Sequence, residues 1–133
     1  MDIESATLEF NKWLDYKRVK QARREEKEAF GEAIISSIMD GDLIINEKTF
    51  IMTYKLLFPI LDNKGNEYLS ELKFNPRVKV KELNIKLKAV KVEDADGRLL
   101  AHAASSCDKN VGELALIDTE DNDIVKSIAG YFL

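Results

Sequence analysis

At 133 residues the chain has the length of about one domain, enough for a single modest core. Its 45% hydrophobic and 33% charged residues exclude a disordered chain, and the formal charge of −4 argues against general nucleic-acid binding. The lone Cys107 excludes an internal disulfide and suits a reducing compartment; no apolar run approaches the ~20 residues that span a bilayer. The acidic start Met1-Asp2-Ile3-Glu4-Ser5 lacks the blocks of a signal peptide, so a cytoplasmic protein is expected, without membrane contact.

In chain order, residues 4 to 39 read as helical, with no proline and only Gly31 to interrupt. Ser5 is the expected N-cap. Leu8, Trp13, Tyr16, Val19 and Ala22 make a thin, irregular apolar stripe. From Phe30 it strengthens through Ala33, Ile34 and Ile38 on one face. Residues 12 to 28 between them carry seven basic and four acidic side chains, net +3. Such a helix could track phosphates, but Glu25, Glu26 and Glu28 would repel them, and mixed runs are usually solvated faces. The segment is either one long helix or two, with a solvated joint near Arg24 to Glu28.

Asp40-Gly41-Asp42 stops the helix, glycine being the natural residue just past a C-terminus. Leu43-Ile44-Ile45 suits a short strand. Two apolar-rich runs, Ile51 to Ile60 and Glu67 to Phe74, flank Asp62-Asn63-Lys64-Gly65-Asn66, whose residues tolerate φ > 0 or bond their own backbone. That predicts a hairpin, with Tyr68, Ser70, Leu72 and Phe74 alternating imperfectly on one face. A lone hairpin is marginal in water, so helices must cover it. The predicted fold is therefore α+β: a small antiparallel hairpin or three-stranded meander packed by several helices. Residues 1–40 are expected to form a helical N-terminal extension and 41–133 the α+β domain.

Asn75-Pro76 marks a break. Over 78 to 92 the residues alternate like strands, yet Val80, Leu83, Leu87 and Val90 also share a helical face, and periodicity does not arbitrate. Asp94 to Gly97 reads as a turn, Arg98 to Cys107 as a short alanine-rich helix and Val111 to Leu116 as a further helical turn. Asp118-Thr119-Glu120-Asp121 is a strong helix start, and Ile124, Val125, Ile128 and Tyr131 or Phe132 continue that last helix.

No constellation of catalytic residues emerges, and no enzyme activity or cofactor is expected. Read as a calcium loop from Asp118, the acidic run has Asp123 where glycine is needed and Ala129 where glutamate is needed, so no metal site is predicted. His102 is the sole histidine, read as a boundary or surface residue, and Ser105-Ser106-Cys107 has no activating base nearby in sequence. Residues 71 to 91 hold seven basic against two acidic groups, net +5, whereas 92 to 133 hold three against nine, net −6. Such a split suits intramolecular packing or head-to-tail self-association.

Leu57-Phe58-Pro59-Ile60, followed by Gly65 to Pro76 with its Gly-x-x-x-x-x-x-Leu-x-x-x-Pro spacing, resembles the opening of the Mu-like phage tail assembly chaperones. Val80-Lys81-Glu82-Leu83 is similar to that family's helix start, Leu99 to Ala104 to its alanine-rich middle helix, and Leu116 to Asp121 with the terminal Phe132-Leu133 to its close. The resemblance covers about Tyr54 to Leu133. Arg77 stands where the family usually has threonine or serine, and the first 40 residues have no counterpart. The resemblance selects a helix over about Lys79 to Lys91. It implies a non-enzymatic protein of a tailed phage or prophage, working in the bacterial host cytoplasm. Such chaperones bind the tape measure protein, keep it soluble, and leave as tail tube protein arrives. Partner-binding candidates are the apolar faces carrying Trp13, Phe30 and Phe132 and a hairpin edge at Met52, Tyr54 and Leu56. For Phe30 and Phe132 packing in the protein's own core is the preferred reading, and for Trp13 both stay open. The rival classes are a structural tail or baseplate component and a nucleic-acid-binding regulator using the basic 17–27 helix.

Overall fold

A computed structural model describes all of residues 1–133. Three N-terminal helices come first: α1 (Ile3–Lys17), α2 (Gln21–Glu26) and α3 (Glu28–Met39). A meander of β1 (Leu43–Ile45), β2 (Met52–Leu61) and β3 (Glu67–Phe74) follows, then α4 (Val80–Leu87), α5 (Ala95–Ser106), α6 (Val111–Leu114) and α7 (Thr119–Ala129), which ends in a 3₁₀ turn, Gly130–Phe132. The sheet is antiparallel in the order β1-β2-β3, so the α+β class and the three-stranded meander hold. No helix is long and apolar enough to cross a membrane.

The helix ends follow local chemistry, with two departures from expectation. Asp2, not Ser5, caps α1: its carboxylate accepts from the Ser5 N–H at 2.8 Å. The first break falls at Arg18, earlier than the expected joint. Arg18 takes φ 61°, its N–H and that of Val19 donate back to the Asp15 and Leu14 carbonyls, and Val19 is buried behind the turn. A non-glycine residue in this left-handed region needs outside support. Arg24 supplies it, donating to the Val19 carbonyl at 2.8 Å and to Asp15 at 2.9 Å, so α2 is bound across the corner. The second break, at Lys27, lies inside the expected joint.

Downstream, α4 is a helix after Pro76, though Val80 points to solvent rather than sharing the half-buried face of Leu83, Leu87 and Val90. The predicted turn Asp94 to Gly97 is instead the first turn of α5: Asp94 accepts from the Gly97 N–H and acts as N-cap. Of the two residues able to cap α7, Asp118 and Thr119, it is Asp118 that does so, accepting from the Glu120 N–H.

One core serves the whole chain. Ala6, Phe10, Trp13 and Ile34 from the first 40 residues join Met52, Tyr54, Leu72, Phe74, Val125 and Tyr131 in a single apolar cluster. Phe10 stacks on Trp13 at 6.0 Å between ring centroids, and Tyr131 meets both edge-on at 5.5 and 6.2 Å. The Trp13 indole N–H donates to the Phe50 carbonyl, and the Tyr131 hydroxyl donates to the Lys27 carbonyl. The N-terminal helices are thus an integral wall of the domain rather than an appendage. At the end of α7 the Phe30 ring of α3 lies directly on the Gly130 backbone: a Cβ on Gly130 would stand 2.4 Å from that ring.

Candidate protein-interaction surface

The hairpin changes character at its middle, and the cause is a proline. From Met52 to Leu56 the side chains of β2 alternate between core and solvent, with Met52, Tyr54 and Leu56 inside. Pairing with β3 runs in step to Lys55↔Glu71 and resumes at Ile60↔Leu69, so residues 56–59 face Ser70 alone. Pro59 has no N–H to give the ladder and sits within this bulge, the place in a sheet where proline is tolerated. The bulge leaves the Leu57 and Phe58 N–H groups without strand partners.

Asp121 takes both. Its carboxylate accepts from Leu57 N–H at 2.8 Å and Phe58 N–H at 3.1 Å, and from the Tyr54 hydroxyl at 2.7 Å. Asp121 is 0% exposed, and three donors satisfy a charge that burial would otherwise penalise heavily. Burial and the bond to Asp121 raise the Tyr54 hydroxyl pKa well above its ordinary value, so it stays protonated and donating. The sequence marks Asp121 as one acid in a helix-capping run; Asp118 is the cap, and Asp121 is the clamp of the hairpin.

Beyond the clamp the burial phase is lost. Leu57, Phe58 and Leu61 of β2 and Tyr68 of β3 lie at the surface, Phe58 with 54% of its area exposed. The expected face of Tyr68, Ser70, Leu72 and Phe74 is broken by the bulge: Leu69 turns in while Tyr68 and Ser70 turn out. The outer end is nonetheless well held. Asp62 accepts from the Lys64 and Asn66 N–H groups and closes the turn. The Tyr68 hydroxyl donates to Glu113, which is itself fixed in a capping box with Asn110. Leu116, 65% exposed, stands in the connection between Glu113 and Asp121. The result is a set of exposed apolar side chains at the hairpin end and in the α6–α7 connection, Leu57, Phe58, Leu61, Tyr68 and Leu116, with exposed or half-exposed Glu67, Glu113, Asp118 and Glu120 in the same segments. None of these four carboxylates makes an ion pair. Exposed apolar side chains on a well-held hairpin end suit contact with an apolar segment of a partner.

The residues expected to bind a partner mostly lie elsewhere. Trp13, Met52, Tyr54 and Leu56 are buried in the core, and β2 is the central strand, bonded on both sides, not an exposed edge. Phe30 is half-buried against Gly130, and Phe132 is half-buried with the Lys17 amine 3.7 Å from its ring centroid. Both therefore serve packing. The surface residues were legible only as a run, Leu56-Leu57-Phe58-Pro59, whose consecutive apolar side chains cannot all face one side of a strand.

The other candidates carry no chemistry together. No group of three or more His, Cys, Asp or Glu side chains is placed to hold a metal ion. Cys107 is buried, and burial pushes its thiol up to about 11, the opposite of an activated nucleophile. His102 is buried rather than at the boundary or surface; burial, then Arg98 and Lys17, hold it below its ordinary pKa and keep it neutral. Ser106 donates to the Asn75 carbonyl, a structural tie between hairpin and α5. The basic run of α1 and α2 lines a shallow cleft of about 490 Å³ with Lys17, Arg18, Lys20 and Arg23. Burial, then repulsion by Arg77 and Arg23, lowers the Lys17 amine to about 8, and it donates to the Pro76 carbonyl at 2.9 Å. Lys17 is thus committed to holding the chain after the hairpin, with its stem along Phe132.

These observations define a class, an α+β domain with exposed apolar side chains at its hairpin end. Comparison with protein-family models, curated proteins and solved structures gives no match.

Proposed function

We propose that this protein is a non-enzymatic binding protein that shields an apolar segment of a partner. Within that class it is a tail assembly chaperone of a tailed phage or prophage, acting in the host cytoplasm, and its partner is the tape measure protein. The observation that carries the reading is the outer half of the hairpin: large apolar side chains held at the surface by a buried clamp rather than collapsed onto the core. Keeping Phe58 and Leu57 exposed forgoes burial worth about 1.5–3 kcal/mol per side chain. A surface of that kind is what recognition of a helical or extended apolar segment requires. The sequence resemblance over Tyr54 to Leu133 includes this same stretch and supplies the partner's identity.

The test is co-expression with the tape measure protein of the same phage, reading the soluble fraction. The intact chain should raise that fraction, and Leu57→Asp combined with Phe58→Asp should abolish the gain while the chaperone itself stays folded. Equal rescue by the variant would remove the hairpin end from the site. No rescue by the intact chain, together with recovery of the chain in purified virions, would make it a structural tail component.

A further inference from the structure

We infer that two copies of this chain join edge to edge through β3, extending the sheet across a two-fold axis at Leu72. The hydrogen-bond phase of the sheet shows which groups are free. The Lys55 N–H donates to the Asp42 carbonyl and the Asn46 N–H to the Ile51 carbonyl, so Ile51, Thr53 and Lys55 bond towards β1. Met52 and Tyr54 therefore bond towards β3, to their partners Phe74 and Leu72. Glu71 and Lys73 then turn their N–H and C=O groups away from β2, along the outer edge of the last strand. Neither N–H has a partner elsewhere in the chain. Asn75, in the same phase, donates to the Ser106 carbonyl at 3.0 Å, which closes the edge at that point. Ser70, Glu71 and Lys73 are exposed, so an open stretch remains between the bulge and Asn75. The other edge, β1, is three residues long and has no charged side chain, so nothing on it sets a register.

A free edge invites another strand, and chains that stay apart guard it with proline, a bulge or like charge. Here the two edge charges have opposite sign. Glu71 and Lys73 lie on one face of β3 with their charges 3.9 Å apart, a loose, exposed contact that leaves both free to re-pair. With antiparallel strands centred on Leu72, Glu71 of each copy faces Lys73 of the other. Each facing pair exchanges both of its N–H···O bonds and sets opposite charges side by side. Lys55 stands beside Glu71 on the same face, so the signs alternate across the joined sheet. Sliding the strands by two residues sets Glu71 against Glu71, or Lys73 against Lys73. Sliding them by one sets an outward-facing main chain against an inward-facing one. A single register therefore satisfies both charge and main chain, and it is one that a two-fold axis generates. The open stretch is short, so the association is weak and concentration-dependent. The pairing needs none of the exposed side chains of the hairpin end, so it stands independently of the chaperone reading.

The test uses the purified full chain, intact and with Glu71→Lys, Lys73→Glu or both. Sedimentation equilibrium at up to about 0.5 mM protein should bring the intact chain from the 15.1 kDa monomer towards twice that mass. Either single reversal sets like charges opposite each other and should weaken association at least about tenfold. An equal mixture of the two single variants should associate, because each meets the opposite sign on the other. The double reversal should associate like the intact chain. Hydrogen exchange locates the contact: the Glu71 and Lys73 amides should exchange at least about twofold more slowly at about 0.5 mM than at about 5 μM. Far-UV circular dichroism checks that each variant stays folded, and both positions are exposed. A monomer at every concentration, single reversals that associate like the intact chain, a mixture that stays monomeric, or exchange at both amides indifferent to concentration would each overturn the pairing. Solubilisation of the tape measure protein is read separately, so the chaperone reading can stand or fall without this one.

Discussion

The two halves of the hairpin share a backbone and a composition, yet the inner half buries its apolar side chains while the outer half gives the core only Ile60 and Leu69. Met52, Tyr54 and Leu56 are buried; Leu57, Phe58 and Leu61, next along the same strand, are not. The difference is made by a single buried carboxylate and a single proline. Pro59 interrupts the ladder, Asp121 collects the freed N–H groups, and Leu57, Phe58 and Leu61 turn outward while Ile60 still packs on the core. Hydrophobicity thus does not decide exposure here. The location of satisfied hydrogen bonds does, because an unpaired buried N–H costs as much as an apolar side chain gains.

Breaking the clamp should have the largest effect. Asp121→Ala orphans the Tyr54 hydroxyl and two backbone donors, and a loss of about 3–5 kcal/mol is expected in denaturant unfolding. Amide exchange at Leu57 and Phe58 should accelerate along with it, erasing the distinction between the halves. On the inner side, Gly130→Ala forces a methyl against the Phe30 ring and should cost about 1–3 kcal/mol. Tyr54→Phe removes one donor of the clamp and leaves the backbone pair in place, so about 0.5–1.5 kcal/mol is expected.

A pH dependence separates the inner structure further. His102 has its pKa lowered in the folded chain by burial, with Arg98 and Lys17 adding to it. Below the ordinary value of 6.5 the unfolded chain binds a proton that the folded chain refuses, so stability should fall as pH drops through that value. His102→Gln should flatten the pH 7 to 5 part of the thermal-unfolding profile. The smallest effect belongs to the outer half: Phe58→Ser should change stability by less than about 0.5 kcal/mol while weakening partner binding. A large loss of stability there would place Phe58 in the core and remove the comparison.

Much of the architecture was legible because it is set by neighbours in sequence. The Asp62 to Asn66 turn, the stop at Gly41 with its φ of 82°, and the Asp118 cap each depend on a few consecutive residues. The α4 helix required more, since 78 to 92 fits two periods equally well. The break at Arg18 was hidden, because only Arg24 reaching back to Val19 and Asp15 makes that corner tenable. Trp13 was ambiguous for a related reason: a thin helical stripe does not say whether a partner or the chain's own Tyr131 will cover it.

The sequence by itself determined the α+β class, the hairpin and its turn, the starts of α6 and α7 and the uneven distribution of charge. Those follow from side-chain period, capping and turn chemistry, which act over a turn or two of chain. Only the tertiary structure decided which apolar residues are core and which are surface. The donors that Asp121 satisfies lie 63 to 67 residues away, and the ring that limits Gly130 comes from α3 at the other end of the chain. Contacts of that separation leave no local signature, because no spacing rule connects residues brought together only when the whole core closes.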